Sequence, residues 1–220
     1  SGSADVLEAL GVRIELTARQ MAAVLDEAGI VFMYAPLLHP AMRHVGPVRR
    51  GLGVRTMMNI LGPLTNPAGA RRQVIGVSDA KLLDLIPDAL VELGHLHALV
   101  VHGAPGIDEV SPLGSTEVAE VREGSVERYT LALADLDLEP VDEAGLAGGE
   151  PEDNARVIEQ VLAGQKGAAR TAVVLNAAAA ILTGGLAPAW PNAVTLALSS
   201  IDEGKARESL EALRRVSNEV

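Results

Sequence analysis

Asp108 and Glu109 are two adjacent carboxylates of this 220-residue chain that could bind a metal ion. They follow the apolar run 99–101, which predicts a buried strand, after a short loop that contains glycine and proline. Ligands of parallel α/β sheets gather at the carboxyl ends of strands, and Mg²⁺ binds one or two carboxylates together with phosphate oxygens and water. The pair therefore predicts a magnesium site for a phosphorylated ligand, with an ordinary solvated loop edge as the alternative.

The most basic segment of the chain, residues 39–50, contains two histidines and three arginines that can carry positive charge. If Pro40 starts a helix, Arg43 and Arg50 share one face of it and His39 lies at its entrance. A guanidinium forms paired, planar hydrogen bonds with a carboxylate, which lysine cannot do. The segment predicts a clamp for a carboxylate ligand, and a solvated basic helix is the alternative.

Two further stretches have the glycines and small polar residues of ligand-binding turns. In residues 59–67, Gly62 permits close backbone approach and Pro63 stiffens the chain, so we predict an irregular wall for a flat ligand or a simple turn. Residues 1–3 (SGS) precede a predicted helix whose free N–H groups would favour a phosphate. His95 and His97 are interpreted as structural or surface residues, because no third metal ligand stands at a usable spacing.

The composition limits the classes of partner. A formal net charge of −11 argues against broad attraction to nucleic acid or anionic lipid, and an aromatic content of 2% offers no platform for stacked bases. The absence of cysteine excludes disulfides and Cys-type zinc sites, and no apolar run approaches the roughly 20 residues of a membrane helix. We predict a cytoplasmic protein that binds neither nucleic acid nor membranes.

The elements that must position these residues follow from hydrophobic periodicity. Residues 73–77, 82–93 and 98–101 read as strand, helix and strand, which implies a right-handed crossover between parallel strands, and residues 116–131 alternate as a hairpin. The predicted fold is α/β, with a mostly parallel central sheet flanked by helices in a single domain over residues 1–220. The apolar run 30–35 is predicted to be a buried strand, Ala168 begins an alanine-rich buried helix, and Ser200 is predicted to cap the last helix.

Taken together, these segments resemble anthranilate phosphoribosyltransferase. The likeness is specific in combination and runs the length of the chain. It rests on residues 1–11 (SGSADVLEALG), residues 39–50, Arg55 and Thr56 with residues 59–67 (NILGPLTNP), and His102 and Gly103 followed by residues 108–111 (DEVS). The more distant pyrimidine nucleoside phosphorylases share the fold class.

The resemblance implies that a phosphoribosyl group passes from phosphoribosyl pyrophosphate to the amino group of anthranilate, with Mg²⁺ as cofactor, in tryptophan biosynthesis. No residue is assigned as a general acid or base. The implied binding residues are Arg49 for the anthranilate carboxylate, His39, Gly62 and Pro63 for its pocket, Ser3 for phosphoribosyl pyrophosphate, and Asp108 and Glu109 for magnesium.

In that family, a helical segment, a GTGGD loop and a KHGNR stretch that hold phosphoribosyl pyrophosphate precede the SGSAD motif, with which this sequence opens. The resemblance implies that residues 1–220 are the C-terminal α/β portion of a longer, two-domain, homodimeric enzyme. The isolated chain is then expected to keep a partial site and little activity. Two alternatives stay open, namely a relative of the pyrimidine nucleoside phosphorylases and a binding or assembly module without catalysis.

Overall fold

The computed structural model of the chain describes residues 1–38 and 62–220. They form two compact units. The first unit comprises the described part of Ser1–Leu61 together with Gly148–Gly164 and Ile201–Val220, and the second comprises Gly62–Ala147 and Gln165–Ser200. The assignment of residues 1–220 to a single domain stays a prediction.

All strands in the described part of the chain lie between residues 72 and 131, together with one helix. The helices are α1 (Ser3–Ala9), α2 (Ala18–Ala28), α3 (Ala35–Leu38), α4 (Leu82–Glu92), α5 (Pro151–Leu162), α6 (Ala168–Gly184), α7 (Trp190–Asp202) and α8 (Lys205–Glu219). The strands are β1 (Arg72–Gly76), β2 (His97–Gly103), β3 (Thr116–Arg122) and β4 (Ser125–Leu131), and short 3₁₀ helices span Leu133–Leu136 and Glu143–Leu146. No helix in the described part of the chain has the length and apolar character needed to cross a membrane.

A four-stranded sheet in the order β1-β2-β3-β4 organises the second unit. β1 and β2 are parallel, as the predicted crossover through α4 requires, whereas β2 with β3 and β3 with β4 are antiparallel. The predicted α/β class is confirmed, and the sheet of the described residues is mixed rather than mostly parallel. The reason is local, because the β3–β4 hairpin turns through Glu123 and Gly124, both at positive φ (51° and 81°), and needs no crossover.

Strand β2 is the centre of this unit because every residue from His97 to Val101 is buried. Helix α4 packs against β2 and β3, and helix α6 packs against β1 and β2. Strands covered on both sides read as continuous apolar runs, which is why residues 98–101 carry so clear a strand signal. The predicted alanine-rich helix is α6, in which Ala178 and Ala179 are fully buried and allow close packing.

The first unit is built from helices only, as far as it is described. Thr17 caps α2, because its hydroxyl accepts the Gln20 N–H at 3.3 Å while the Gln20 side chain accepts the Thr17 N–H at 2.9 Å. Gly29, at φ 73°, ends the helix. α2 packs against α8 and α1 packs against α5. The core shared by α2 and α8 buries Val12, Ile14, Leu16, Met21, Val24, Leu213 and Val216.

Two predicted elements are wrong. Residues 30–34 form no strand, because Val31, Phe32 and neighbouring residues cover the α2–α8 core without a partner strand. Ser200 is not a cap but lies inside α7, and the last helix begins at Lys205 after Gly204, whose φ of 82° separates the two helices. The apolar pattern of residues 30–35 indicated packing against a core but not the type of element. The serine at position 200 indicated a helix start, but the boundary lies at Gly204.

Candidate functional site: a carboxylate loop at the end of two strands

The candidate metal ligands lie on the loop after β2, at the carboxyl ends of the two parallel strands. Gly103 donates its N–H to the Ile107 carbonyl at 2.9 Å and accepts from the Ile107 N–H at 2.8 Å. This pair of hydrogen bonds closes a tight turn, after which Asp108 and Glu109 follow with exposed side chains. The loop therefore presents two neighbouring carboxylates where ligands of such sheets are bound.

The backbone of this loop lies very close to the ends of the two strands. A Cβ atom at Gly76, the last residue of β1, would lie 1.6 Å from the Asp108 carbonyl oxygen. A Cβ atom at Gly103, the last residue of β2, would lie 2.4 Å from the Glu109 carbonyl oxygen. No side chain fits at either position, so both strands must end in glycine where the loop crosses them.

The electrostatics of the pair favour a bound cation. Partial burial, and then the negative charge of Asp108, raises the pKa of Glu109 above its ordinary value. Two adjacent ionised carboxylates repel each other, and a divalent cation offsets that cost. Within residues 1–38 and 62–220, no three His, Cys, Asp or Glu side chains converge on a metal position. A pair of carboxylates fits Mg²⁺ that shares its coordination with phosphate oxygens and water.

The remaining candidates are distributed over the chain. His39, Arg43, Arg49 and Arg50 lie outside the described residues. Gly62 and Pro63 are exposed in the second unit. They are helical rather than irregular, and the Gly62 carbonyl accepts the Thr65 N–H at 3.2 Å.

Ser3 is the exposed first residue of α1, in the first unit. The SGS segment before and at this helix is held by side chains. Asn154 of α5 donates to the Ser1 hydroxyl at 2.7 Å, and the Asp5 carboxylate accepts the Gly2 N–H at 3.1 Å. These contacts order the turn that precedes the helix whose free N–H groups are predicted to favour a phosphate.

His97 belongs to a buried polar network, as its structural interpretation predicts. Its Nε2 lies 2.7 Å from one oxygen of Glu120, whose other oxygen accepts the Tyr129 hydroxyl at 2.9 Å. Trp190 donates its indole N–H to the same hydroxyl at 2.9 Å. Burial raises the pKa of Tyr129, and the charge of Glu120 adds to the effect. The neutral hydroxyl of Tyr129 thus links β4 to β3 and to α7.

Sequence reasoning missed two residues that shape the carboxylate loop. Gly76 was part of a predicted strand, and only its glycine type at the end of that strand hinted at a close approach. Ser111 donates its hydroxyl to the Ala104 carbonyl, accepts the Leu113 N–H at 3.0 Å, and so ties the two ends of the loop together. A serine two residues after an Asp-Glu pair gave no separate signal.

Comparison with protein families gives one match that covers most of the chain. The model of a family described as "Glycosyl transferase family, a/b domain" matches residues 1–207. Among curated proteins, an anthranilate phosphoribosyltransferase from Rubrobacter xylanophilus is 50% identical over 218 residues, covering 99% of this chain and 64% of that protein. Its counterpart from Desulforudis audaxviator is 51% identical over 212 residues, covering 96% and 61%.

Solved structures give the same picture. Anthranilate phosphoribosyltransferase from Thermus thermophilus superposes with a TM-score of 0.92 at 42% identity, covering 99% of this chain and 64% of that one. The enzyme from Saccharomyces cerevisiae in complex with PRPP and Mg superposes with a TM-score of 0.92 at 26% identity, covering 100% and 63%. The chain thus spans about three fifths of the length of these proteins.

Proposed function

The chain belongs to the glycosyltransferase family whose α/β domain it matches over residues 1–207, and from this membership we propose that it is the C-terminal α/β portion of an anthranilate phosphoribosyltransferase. The reaction transfers the phosphoribosyl group of phosphoribosyl pyrophosphate to the amino nitrogen of anthranilate and releases pyrophosphate, in tryptophan biosynthesis. We place it in the cytoplasm, in a homodimeric enzyme. The observation that carries the proposal is the Asp108–Glu109 pair at the carboxyl ends of β1 and β2.

The carboxylate pair is proposed to bind the magnesium form of phosphoribosyl pyrophosphate. When bound, Mg²⁺ would supply positive charge beside the leaving pyrophosphate, whose negative charge increases as its bond to C1 of the ribose breaks. Asp108 and Glu109 would hold the ion on a loop that lies directly against Gly76 and Gly103. Ser3, at the start of α1, is proposed to contact the phosphoribosyl substrate.

The second substrate is proposed to lie against the basic segment. Arg49 would pair with the anthranilate carboxylate through a planar, two-bond contact, while His39, Gly62 and Pro63 would line the pocket. These residues would orient the amino nitrogen towards C1 of the ribose. The new C–N bond forms as the bond to pyrophosphate breaks, and the proton that the nitrogen loses passes to water or to the released pyrophosphate. Because orientation and charge stabilisation provide most of the rate, no residue of this chain is assigned as a general base.

Calorimetry on the purified protein tests the proposal directly. Anthranilate and magnesium-loaded phosphoribosyl pyrophosphate are titrated separately, with thymidine and uridine as competing candidates. We expect anthranilate to bind, and any binding of phosphoribosyl pyrophosphate that this portion retains to require Mg²⁺. Preferential binding of a pyrimidine nucleoside would replace the proposed function with that of a nucleoside phosphorylase.

Charge reversal at Arg49 separates the proposed clamp from a solvated basic helix. Arg49→Glu should abolish anthranilate binding, because the carboxylate would meet a negative charge, and should leave magnesium-dependent binding of phosphoribosyl pyrophosphate unchanged. Arg215→Glu is the matched control, because it makes the same charge reversal on the exposed face of α8, where no ligand is proposed to bind. Undiminished anthranilate binding by Arg49→Glu would remove Arg49 from the site.

A further inference from the structure

We propose that Asn176 is the positioning residue of the magnesium carboxylates, acting through the backbone of Val110. The inference rests on the proposed function, because it assigns a role to Asn176 in the metal site of Asp108 and Glu109. Asn176 lies in the middle of α6, with alanines at the four following positions 177–180. Asn176 is half-buried, and a polar amide in so apolar a helix needs partners because leaving it unpaired costs free energy.

The Asn176 amide makes three hydrogen bonds, and the backbone supplies the partner in each of them. Its oxygen accepts the Val110 N–H at 2.9 Å, and its nitrogen donates to the Val110 carbonyl at 3.1 Å and to the Ala172 carbonyl at 3.0 Å. The first two bonds form a closed pair with one residue, as a neighbouring strand would. Val110, which directly follows Glu109, is fully buried, so no water replaces these bonds.

Asn176 completes a series of contacts along three successive residues. The Asp108 carbonyl lies on Gly76 and the Glu109 carbonyl lies on Gly103, but these contacts only exclude side chains and do not attract the loop. The paired bonds of Asn176 hold Val110, and thereby the C-terminal side of the carboxylate pair, against α6. Carboxylates of a metal site must keep a fixed orientation, and partners outside the coordination sphere often set it.

A titration with Mn²⁺ in place of Mg²⁺, followed by electron paramagnetic resonance on the purified protein, tests this role without an activity assay. Asn176→Ala removes both bonds to Val110 and should raise the Kd for Mn²⁺ about tenfold, the lower end of the effect of such outer residues. In the same variant, the Val110 amide should exchange with deuterium faster than in the unchanged protein. A Kd unchanged within twofold would overturn the role of Asn176.

Asn218→Ala is the matched control. Asn218 makes the same kind of amide contact, donating to the Gly11 carbonyl at 2.9 Å and to the Arg214 carbonyl at 2.8 Å, but in the first unit. Because its side chain is exposed, Asn218→Ala should lose less stability than Asn176→Ala, and it should keep the affinity for Mn²⁺. An equal loss of affinity in both variants would mean that the effect is general destabilisation, and it would also overturn the role of Asn176.

Two more variants keep the outcome decisive. If Asn176→Ala does not fold, Asn176→Asp is measured instead, because it can still accept the Val110 N–H but places an oxygen against the Val110 carbonyl. It too should weaken Mn²⁺ binding, and unchanged affinity would contradict the inference. Asp108→Asn tests the proposed metal site itself. If it leaves Mn²⁺ binding intact, the proposed site fails; if it weakens binding while the Asn176 variants do not, only the role of Asn176 fails.

Discussion

Gly76 and Gly103 decide where the two carboxylates can lie, because the loop that carries them crosses both positions without room for a Cβ atom. The carboxylate side chains that would bind the ligand are exposed and of a common type. The two positions against which their loop packs, in contrast, accept only glycine. At the scale of the residue, the proposed metal site therefore depends on two glycines that make no contact with the metal.

Gly76→Ala should disturb this site directly. The added methyl group would lie 1.6 Å from the Asp108 carbonyl oxygen, so either β1 or the loop must move. We expect a loss of about 1–3 kcal/mol in the free energy of unfolding, as for other overpacked positions, and a several-fold rise in the Mg²⁺ concentration needed to bind phosphoribosyl pyrophosphate. Urea unfolding and calorimetry measure the two effects.

Gly184→Ala provides the control for that substitution. Gly184 is the last residue of α6, and the nearest atom to an added Cβ would be a side-chain carbon of Leu186 at 3.9 Å, an ordinary contact. Its stability should stay within about 0.5 kcal/mol of the unchanged protein, with magnesium dependence unaltered. Two glycine variants with indistinguishable behaviour would contradict the proposed placement of the loop on β1.

The raised pKa of Glu109 predicts a pH dependence of stability with a definite sign. A carboxyl group whose pKa is higher in the folded state binds its proton more tightly there, so its contribution to stability is present at low pH and is lost as the pH rises through the folded pKa. Glu109→Gln keeps a neutral side chain at every pH. Without Mg²⁺, this variant should be more stable than the unchanged protein near neutral pH and equally stable in acid.

Urea unfolding between about pH 3 and pH 7, on both sides of the ordinary pKa of glutamate, measures this difference. Asp108→Asn supplies the comparison, because it removes the second cause of the raised pKa and should reproduce part of the gain. A Glu109→Gln variant that is less stable than the unchanged protein at neutral pH would contradict the proposed electrostatics.

At the residue scale, the sequence singles out the carboxylate pair as a candidate site but does not indicate the residues that support its loop. Asp108 and Glu109 follow an apolar run and a loop, and this order is a local pattern. Gly76 and Asn176 act on the loop from elements that are distant in sequence, and a local pattern contains no information on such contacts. The sequence shows a glycine at the end of a predicted strand and an amide in an alanine-rich helix. It does not show that Gly76 lies against Asp108 or that Asn176 bonds to Val110.

At the scale of elements, a chain of polar contacts joins two strands of the hairpin to a helix of the second unit. Tyr129 lies at its centre, because its hydroxyl donates to Glu120 and accepts from Trp190. The chain contains few aromatic residues, 2% in all, and two of them meet here. The network therefore contributes orientation that the aliphatic core around β2 cannot provide.

Tyr129→Phe should show what this connection contributes. Loss of the hydroxyl leaves the Trp190 indole N–H and one oxygen of Glu120 without this partner in a half-buried position, at a cost of about 1–3 kcal/mol. Thr130→Val is the control, because Thr130 lies next to it on β4 and donates at 2.9 Å to the exposed Glu117. Urea unfolding should give a clearly larger loss for Tyr129→Phe, and equal losses would show that the network adds nothing.

The elements themselves were predicted well where their patterns are local. The crossover through α4 and the hairpin of β3 and β4 both follow from periodicity and turn residues, and they agree with the structure within about two residues. The run 30–35 failed because apolar residues without a partner strand can cover helices instead. Antiparallel pairing of β2 with β3 also escaped prediction, since strand neighbours depend on contacts that a period of two does not specify.

At the scale of the whole chain, the first unit is assembled from three separate stretches of sequence. The N-terminal stretch and the C-terminal helix α8 are joined by the Arg13 N–H, which donates to the Ser217 hydroxyl at 3.1 Å, and by the Arg214 side chain, which donates to the Leu10 carbonyl at 2.6 Å. The helices of this unit therefore depend on residues some two hundred positions away. The sheet of the second unit is made from one continuous stretch, residues 72–131.

This difference predicts that damage to α8 is confined mainly to the first unit. Val216 is fully buried against α2, and Val216→Ala should cost about 1–3 kcal/mol. Hydrogen exchange read by mass spectrometry should show faster exchange in α2 and little change in β2. Arg215→Ala removes only exposed ion pairs to Glu27 and Glu219, worth less than about 1 kcal/mol, and should leave both regions unchanged. Equal loss of protection in α2 and β2 after Val216→Ala would mean that the two units unfold as one, and the stability of the metal site would then depend on helices that contribute no carboxylate to it.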